Sequence, residues 1–135
     1  MANLFECGGG VSGGEFVFPE IILNGASSVV EGDYYSYEGG YFYLPDGIKK
    51  ITIENALCTV STSGTSGSCN LIIRDLNGTI KSFSFQASSR QQNMEINVAN
   101  SASPYIYVKG PMRSIALSGT PARPHFVLSN VCLYI

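Results

Sequence analysis

The amino-acid sequence predicts an all-β fold, a single-domain β-sandwich of the jelly-roll type with about nine to eleven short antiparallel strands. Apolar residues recur at every second position in nearly every apolar segment, which is the period of a strand with one buried face. No long window shows the period of an amphipathic helix. Because no helix is expected to cover the strands, two sheets must bury their apolar faces against each other.

The length of 135 residues suits one domain with a core of its own. We predict a glycine-rich N-terminal arm at residues 1–15 and a β-sandwich jelly-roll domain at residues 16–135. Residues 7–14 read Cys-Gly-Gly-Gly-Val-Ser-Gly-Gly, and a segment so rich in glycine cannot hold a packed structure by itself. It also lacks the preceding strand, the lysine and the following helix of a phosphate-binding loop.

The predicted arm has two interpretations. It is either a disordered terminus without a role, or a segment that lies along a neighbouring subunit. In the second interpretation Leu4 and Phe5 supply the apolar anchor, while Glu6 and Glu15 meet basic residues of the neighbour. That interpretation predicts a homo-oligomer, with a trimer as the preferred number, or docking of the arm on another particle protein.

The chain carries few charges, and they are unevenly distributed. Charged residues make up 13% of the chain, about half the usual share of roughly 25%. Residues 1–47 carry seven acidic and no basic side chains, whereas residues 48–135 carry eight basic and three acidic ones. The longest basic run is Lys49 with Lys50, so no nucleic-acid partner is predicted. A surface of such low charge is either covered by partners or formed by serine, threonine and asparagine.

No targeting or membrane segment is recognisable. Residues 1–10 lack the positive and apolar regions of a signal peptide, and no run approaches the roughly 20 apolar residues of a membrane span. We expect synthesis in a cytoplasm, no membrane insertion, and incorporation into a virion or another extracellular assembly. The four cysteines are then expected to be thiols. Cys58 and Cys69 could face each other across a hairpin, and the sequence leaves open whether they ever pair.

Residues 34–43 hold five of the eight tyrosines. We interpret them as two short strands folded about a turn at residues 38–40, which contains two glycines. Rigid aromatic rings with a polar tip suit binding surfaces. Four of these tyrosines are predicted to form one outward surface that binds a glycan or a protein: Tyr35, Tyr37, Tyr41 and Tyr43. The alternative is that the rings pack as ordinary strand residues.

Turn chemistry and alternation also predict details of the core. Residues 75–78 read Asp-Leu-Asn-Gly, a tight hairpin turn because Asn-Gly tolerates positive φ angles. Side chains in the apolar phase of their strands are predicted to be buried. They are Phe83, Phe85, Ile96, Leu117 and Leu133.

The second part of the chain resembles the carbohydrate-binding-module and galactose-binding-like jelly rolls. Residues 71–80 show their unit of a strand, a D-x-N-G turn and a strand, and residues 126–135 resemble their last strand. The segments 94–98 and 105–108 lie between these two, and the resemblance covers residues 48–135. It implies a jelly-roll fold and binding of a sugar by aromatic stacking.

This sequence departs from that pattern in two places. Ser129 stands where the family often has an aspartate near its structural calcium, and the chain has no tryptophan to stack on a sugar. Tyrosine would have to replace it. The glycine-rich arm and the low charge also resemble, in general character, the small virion and tail-associated proteins of bacteriophages.

Candidates for catalysis and metal binding are few. Nucleophilic catalysis needs a base held by a third group, and His125 lies between a proline and a phenylalanine in core phase, so we interpret it as structural or exposed. Glu31, Asp33, Glu38 and Asp46 are interpreted as solvated, with calcium ligation through oxygen as the alternative. The cysteine spacing fits no zinc site. No enzyme and no cofactor are predicted.

These observations favour a non-enzymatic assembly protein of a phage particle or a similar machine. Its partners would be copies of itself or other particle proteins. The alternative is a carbohydrate-binding module that recognises a surface glycan through its tyrosine-rich face.

Overall fold

The computed structural model describes residues 15–59, 68–86, 88–117 and 119–135. They form nine β-strands, and every strand pairing is antiparallel, which confirms the predicted all-β sandwich. The strands are β1 (Glu15–Glu31), β2 (Tyr34–Tyr43), β3 (Lys50–Cys58), β4 (Cys69–Asp75), β5 (Gly78–Phe85), β6 (Arg90–Asn97), β7 (Tyr105–Lys109), β8 (Arg113–Ser114) and β9 (His125–Tyr134).

The described strands form sheet A, with β1, β9, β3 and β6, and sheet B, with β1, β2, β7, β8, β4 and β5, so the long strand β1 belongs to both sheets. Its first part, up to Asn24, pairs with β9 in sheet A, and its second part, from Gly25, pairs with β2 in sheet B. The strand order is β5-β4-β7-β2-β1-β9-β3-β6, with β8 beside β2. The edge strands β5 and β6 follow each other in the chain, and the Gln91 side-chain amide of β6 donates to the Ser84 carbonyl of β5 at 2.7 Å. The sandwich is therefore nearly closed.

The core lies between the two sheets and follows the predicted alternation. Phe85 of sheet B and Phe126 of sheet A meet edge to face with ring centroids 4.9 Å apart, a favoured aromatic geometry. Ile96 and Leu133 are buried as predicted, and Phe83 is half-buried against the same core. These residues confirm the phase assigned to β5, β6 and β9.

Leu117 is not part of the core, so its predicted burial was wrong. The side chain is 56% exposed, and Ile115 is similarly open. Strand β8 contains only two residues, and the chain turns directly after it, with the Leu117 amide donating to the Ser114 carbonyl at 3.1 Å. Two alternating apolar residues are too few to distinguish a strand from a turn.

The turn predicted at residues 38–40 was also wrong. Strand β2 runs through this segment, and the hairpin between β1 and β2 turns instead at Gly32 and Asp33. Gly40 and Tyr41 form a β-bulge, because these two residues of β2 lie opposite the single residue of β7 between Val108 and Ile106. Gly40 has a φ of +65°, and a Cβ at this position would lie 2.9 Å from the Leu23 Cβ. Gly40 therefore allows β2 to approach β1 closely.

The predicted turn at residues 75–78 is confirmed. Asp75 pairs with Gly78 at the end of the β4–β5 hairpin. The Asp75 carboxylate accepts from the Asn77 amide at 2.8 Å and from the Ala102 amide at 3.1 Å. These hydrogen bonds stabilise the ionised form, so the pKa of Asp75 is lowered. The hairpin is thereby tied to the segment that precedes β7.

Of the four cysteines expected to be thiols, Cys58 and Cys69 agree with the expectation, Cys132 does not, and Cys7 lies outside the described residues. Cys58 and Cys69 are fully buried thiols, and a hydrogen bond between them, together with burial, raises the pKa of Cys69. The two side chains face each other without forming a disulfide. Cys132 is disulfide-bonded, which corrects the expectation for this residue. The expectation was inferred from the compartment of synthesis. The redox state of a compartment does not predict which cysteine side chains the fold brings close together.

Candidate functional site

The β-bulge in β2 decides which tyrosines share a face. Directly paired residues of an antiparallel ladder project to the same side of the sheet. Gly39 pairs with the core residue Val108, whereas its neighbour Glu38 pairs with Lys109 on the outer face. Beyond the bulge, Tyr43 pairs with Tyr105 on that outer face. The extra residue therefore inverts the phase of β2.

Tyr35 and Tyr37 consequently do not belong to the outward surface predicted for them. They precede the bulge and share the inner phase of Gly39, where the segment after β8 covers them. The Tyr35 hydroxyl donates to the Gly119 carbonyl at 2.5 Å, and the Arg123 guanidinium lies 4.4 Å from the centroid of the Tyr37 ring. Both tyrosines hold this segment against the sandwich.

Tyr41 and Tyr43 do stand outward, and two further tyrosines join them. Tyr105 and Tyr107 project to the same face from the neighbouring strand β7. We call these four residues the tyrosine platform. Neighbouring ring centroids lie 5.4 to 6.5 Å apart, and the Tyr41 and Tyr107 rings are stacked with an interplanar angle of 20°. The platform is a continuous aromatic surface.

The platform is open to solvent at one side and buried at the other. Tyr43 is 70% exposed and Tyr41 44%, whereas Tyr107 is only 8% exposed. The Tyr41 hydroxyl donates to the Glu38 carboxylate at 3.2 Å. Burial, the negative charge of Glu38 and this hydrogen bond raise the pKa of Tyr41 to about 12. Burial also raises the pKa of Tyr107, although Arg74 opposes it. These phenols are therefore neutral at physiological pH.

Sequence reasoning missed Tyr105 and Tyr107 as members of the site. Their signal was present, because they alternate with the apolar residues Ile106 and Val108 as expected of an outer face. The sequence did not reveal that β7 lies beside β2. This pairing joins residues more than sixty positions apart in the chain, such as Tyr43 and Tyr105.

A polar depression lies on the same outer face of sheet B. Asn70 of β4 pairs with both Lys109 and Ser84, which places all three on that face. The Asn70 side-chain carbonyl accepts from the Ser84 hydroxyl at 3.1 Å and from the Ser68 hydroxyl at 3.4 Å. The residues that line the depression are Tyr34, Ser68, Asn70, Ser84, Lys109, Gly110 and Met112.

An ion pair borders this depression. The Lys109 ammonium contacts the Glu31 carboxylate, and the lysine side chain is only 17% exposed. Burial lowers the pKa of Lys109, but the adjacent carboxylate favours the charged ammonium. The pair also joins the acidic first part of the chain to its basic second part within one subunit. The charge asymmetry is thus partly neutralised without a neighbour.

The acids considered for calcium are not gathered into one site. Glu31 pairs with Lys109, and Glu38 accepts from Tyr41. Within the described ranges, no three histidine, cysteine, aspartate or glutamate side chains are close enough to share a metal ion. His125 contacts the side-chain oxygen of Asn24.

The residues proposed for assembly are only partly described. Leu4, Phe5 and Glu6 lie outside the described residues, and Glu15 begins β1 opposite Tyr134. The division into an arm and a domain therefore stays a prediction. In the part of the chain that the structure describes, no helix is long and apolar enough to cross a membrane.

No protein-family model matches the chain, and no curated protein matches it. Among solved structures it is similar to that of infectious bursal disease virus strain Gt, with 9% identity and a TM-score of 0.41, covering 88% of this chain and 31% of that one. The strain Gx structure has 12% identity and a TM-score of 0.39, covering 88% and 32%. The chain thus spans about a third of the length of these structures, and its fold class rests on its own strands.

Proposed function

We propose that this chain is a non-enzymatic structural subunit of a virus particle, or of a comparable extracellular assembly, and that the outer face of sheet B is its recognition surface. The tyrosine platform carries the proposal, because the rigid rings of Tyr41 and Tyr43 stay open to solvent in the folded chain and offer binding area at low entropic cost. In the most specific form of this proposal, the particle is that of a bacteriophage.

Exposed apolar side chains elsewhere support a role in assembly. Met112, Ile115 and Leu117 lie within one short segment after β7, and each is at least 36% exposed. Single exposed apolar residues are ordinary, but several in one place often mark a contact with another protein. The low charged fraction of 13% agrees with a surface that is partly covered in the assembly.

The partners proposed for this surface are copies of the chain or other particle proteins. We propose that residues 1–15 reach a neighbouring subunit, with Leu4 and Phe5 as the apolar anchor and Glu6 and Glu15 setting the register. A trimer is the preferred oligomer.

Sedimentation of the full chain tests the assembly proposal. We expect an oligomer, and we expect a chain lacking residues 1–14 to sediment as a smaller species or to dissociate more readily at high salt. If both chains are monomers at every salt concentration and neither binds a particle protein, the assembly proposal is wrong.

A second candidate function is recognition of a surface glycan, and the exposed, nearly parallel rings of Tyr41 and Tyr43 favour it. Replacing both Tyr41 and Tyr43 by alanine should weaken glycan binding, since anchoring aromatic residues commonly contribute at least about 2 kcal/mol. Leu76→Ala is the matched control, because Leu76 is 75% exposed at the tip of the β4–β5 hairpin. Equal binding by the double variant and the wild type would exclude this candidate.

A further inference from the structure

The tyrosine platform and the polar depression are continuous. Tyr105, Tyr107 and Lys109 follow one another along the outer face of β7, so the platform ends where the depression begins. Tyr105 and Lys109 are about 14 Å apart along the strand at the usual rise per residue. We propose that the two together form one elongated site for a neutral oligosaccharide. This inference rests on the second candidate function and extends it.

The platform suits the apolar faces of sugar rings. Tyr41 and Tyr43 are the exposed rings, with an interplanar angle of 21°, and the buried Tyr107 stacks against Tyr41. Aromatic surfaces also stack on nucleic-acid bases, but such sites track the phosphate backbone with a positively charged groove. On this face Arg74 hydrogen-bonds Tyr107 and Lys109 contacts Glu31, so both cations already have partners. A ligand without charge therefore fits the platform best.

The depression supplies the hydrogen-bonding groups that sugar hydroxyls need. The hydroxyls of Ser68 and Ser84 hold the side-chain carbonyl of Asn70, so its amide N–H groups point away from them and can donate to a ligand. Gly110 brings backbone into the lining. These groups are neutral, and Asn70 pairs with Lys109, which lies about 14 Å along β7 from Tyr105 at the other end of the platform.

The ion pair at the rim of the depression selects against charged ligands. An anion would have to displace Glu31 from Lys109, and a cation would have to displace Lys109 from Glu31. A sugar hydroxyl can donate to the carboxylate while a neighbouring hydroxyl accepts from the ammonium, so the pair can stay intact. The depression therefore favours a neutral polyhydroxyl chain over an acidic or basic one.

Titration of the full chain, followed by amide NMR shifts, tests the proposal. The probes are cellohexaose, maltohexaose and mannohexaose, each with its matching disaccharide. At least one hexasaccharide should shift the amides of both the platform and the depression, including Tyr107, Asn70 and Gly110. Its disaccharide, stacked on Tyr43 at the exposed end of the platform, should shift only platform amides, because Asn70 pairs with Lys109 about 14 Å further along β7.

Three variants separate the depression from the platform. Asn70→Ala and Lys109→Gln should each bind the hexasaccharide about fivefold to tenfold more weakly, as expected for one lost hydrogen bond, and should bind the disaccharide unchanged. Lys81→Gln is the charge-matched control, because Lys81 pairs with the core residue Ile73 and therefore lies on the opposite phase of sheet B.

Two results would overturn the proposal in different ways. If the hexasaccharide shifts only platform amides of the wild type and the two depression variants bind it normally, the extended site is wrong and glycan recognition by the platform stands. If no neutral oligosaccharide binds the wild type, the ligand class is wrong together with the second candidate function. Neither result affects the assembly proposal, which sedimentation decides independently.

Discussion

Backbone hydrogen bonds favour the ionised form of Asp75 at the tip of the β4–β5 hairpin. The amides of Asn77 and Ala102 donate to its carboxylate, and they lower its pKa. Because the folded-state pKa lies below the unfolded value of about 3.9, ionised Asp75 stabilises the fold fully above that value. The contribution is lost as the pH falls through the lowered pKa.

We therefore predict that Asp75→Asn lowers the free energy of unfolding at neutral pH, and that the difference from the wild type shrinks in acid. Urea unfolding at several pH values measures both effects. Asp46→Asn serves as the control, because Asp46 is exposed and accepts none of the side-chain hydrogen bonds found among the described residues. A difference for Asp75→Asn that is the same in acid and at neutral pH would contradict the assigned role.

The buried thiols give a second prediction at this scale. The thiolate is the reactive form of cysteine, and the raised pKa of Cys69 keeps that form scarce at neutral pH. Cys58 is equally inaccessible. Iodoacetamide should leave both residues unmodified in the native chain and should alkylate both after unfolding, as peptide mass spectrometry would show. Rapid alkylation of native Cys69 would mean that this end of the sandwich opens readily.

At the scale of elements, the β-bulge in β2 determines which tyrosines lie on the outer face of sheet B. Gly40 has a positive φ and lies close to Leu23 of β1. A side chain here meets both the conformational penalty and a collision with packed backbone. The bulge is thus specified by glycine, and it alone turns Tyr41 and Tyr43 outward while Tyr35 and Tyr37 face inward.

We predict that Gly40→Ala destabilises the chain by about 1–3 kcal/mol. Gly47→Ala is a matched control, because Gly47 also has a positive φ, +85°, but no atom beyond its chain neighbours lies within 4 Å of its Cβ position. Gly47→Ala should lower the free energy of unfolding by less than Gly40→Ala, since only the conformational penalty remains. Guanidinium unfolding of the two variants measures the difference. Equal losses would show that the contact with β1 has no energetic consequence.

At the scale of the whole molecule, the two leucines of opposite exposure test the core. Leu133 is fully buried in β9, whereas Leu117 is 56% exposed. Leu133→Ala should cost roughly 2–5 kcal/mol, because it removes a packed side chain and leaves a cavity. Leu117→Ala should stay within about 0.5 kcal/mol of the wild type. Denaturant unfolding of both variants decides whether the sandwich is packed as described.

The sequence by itself determined the fold class and most of the core. Period-two alternation identified the strands of Phe85, Ile96 and Leu133, and the Asn-Gly pair identified the β4–β5 turn. Both signals are local, because a strand exposes alternate side chains and a tight turn needs particular residues wherever it occurs. The alternation in residues 115–117 gave a wrong prediction of a buried strand, because two alternating residues fit a turn as well as a strand.

Only the tertiary structure decided which tyrosines share a surface. Alternation counted along β2 places Tyr35, Tyr37, Tyr41 and Tyr43 in one phase, but the one-residue bulge inverts that phase between the two pairs. The pairing of β2 with β7, which adds Tyr105 and Tyr107, joins distant parts of the chain. Strand pairing is a property of the whole sandwich, since many partners satisfy the same alternation and only mutual packing selects one.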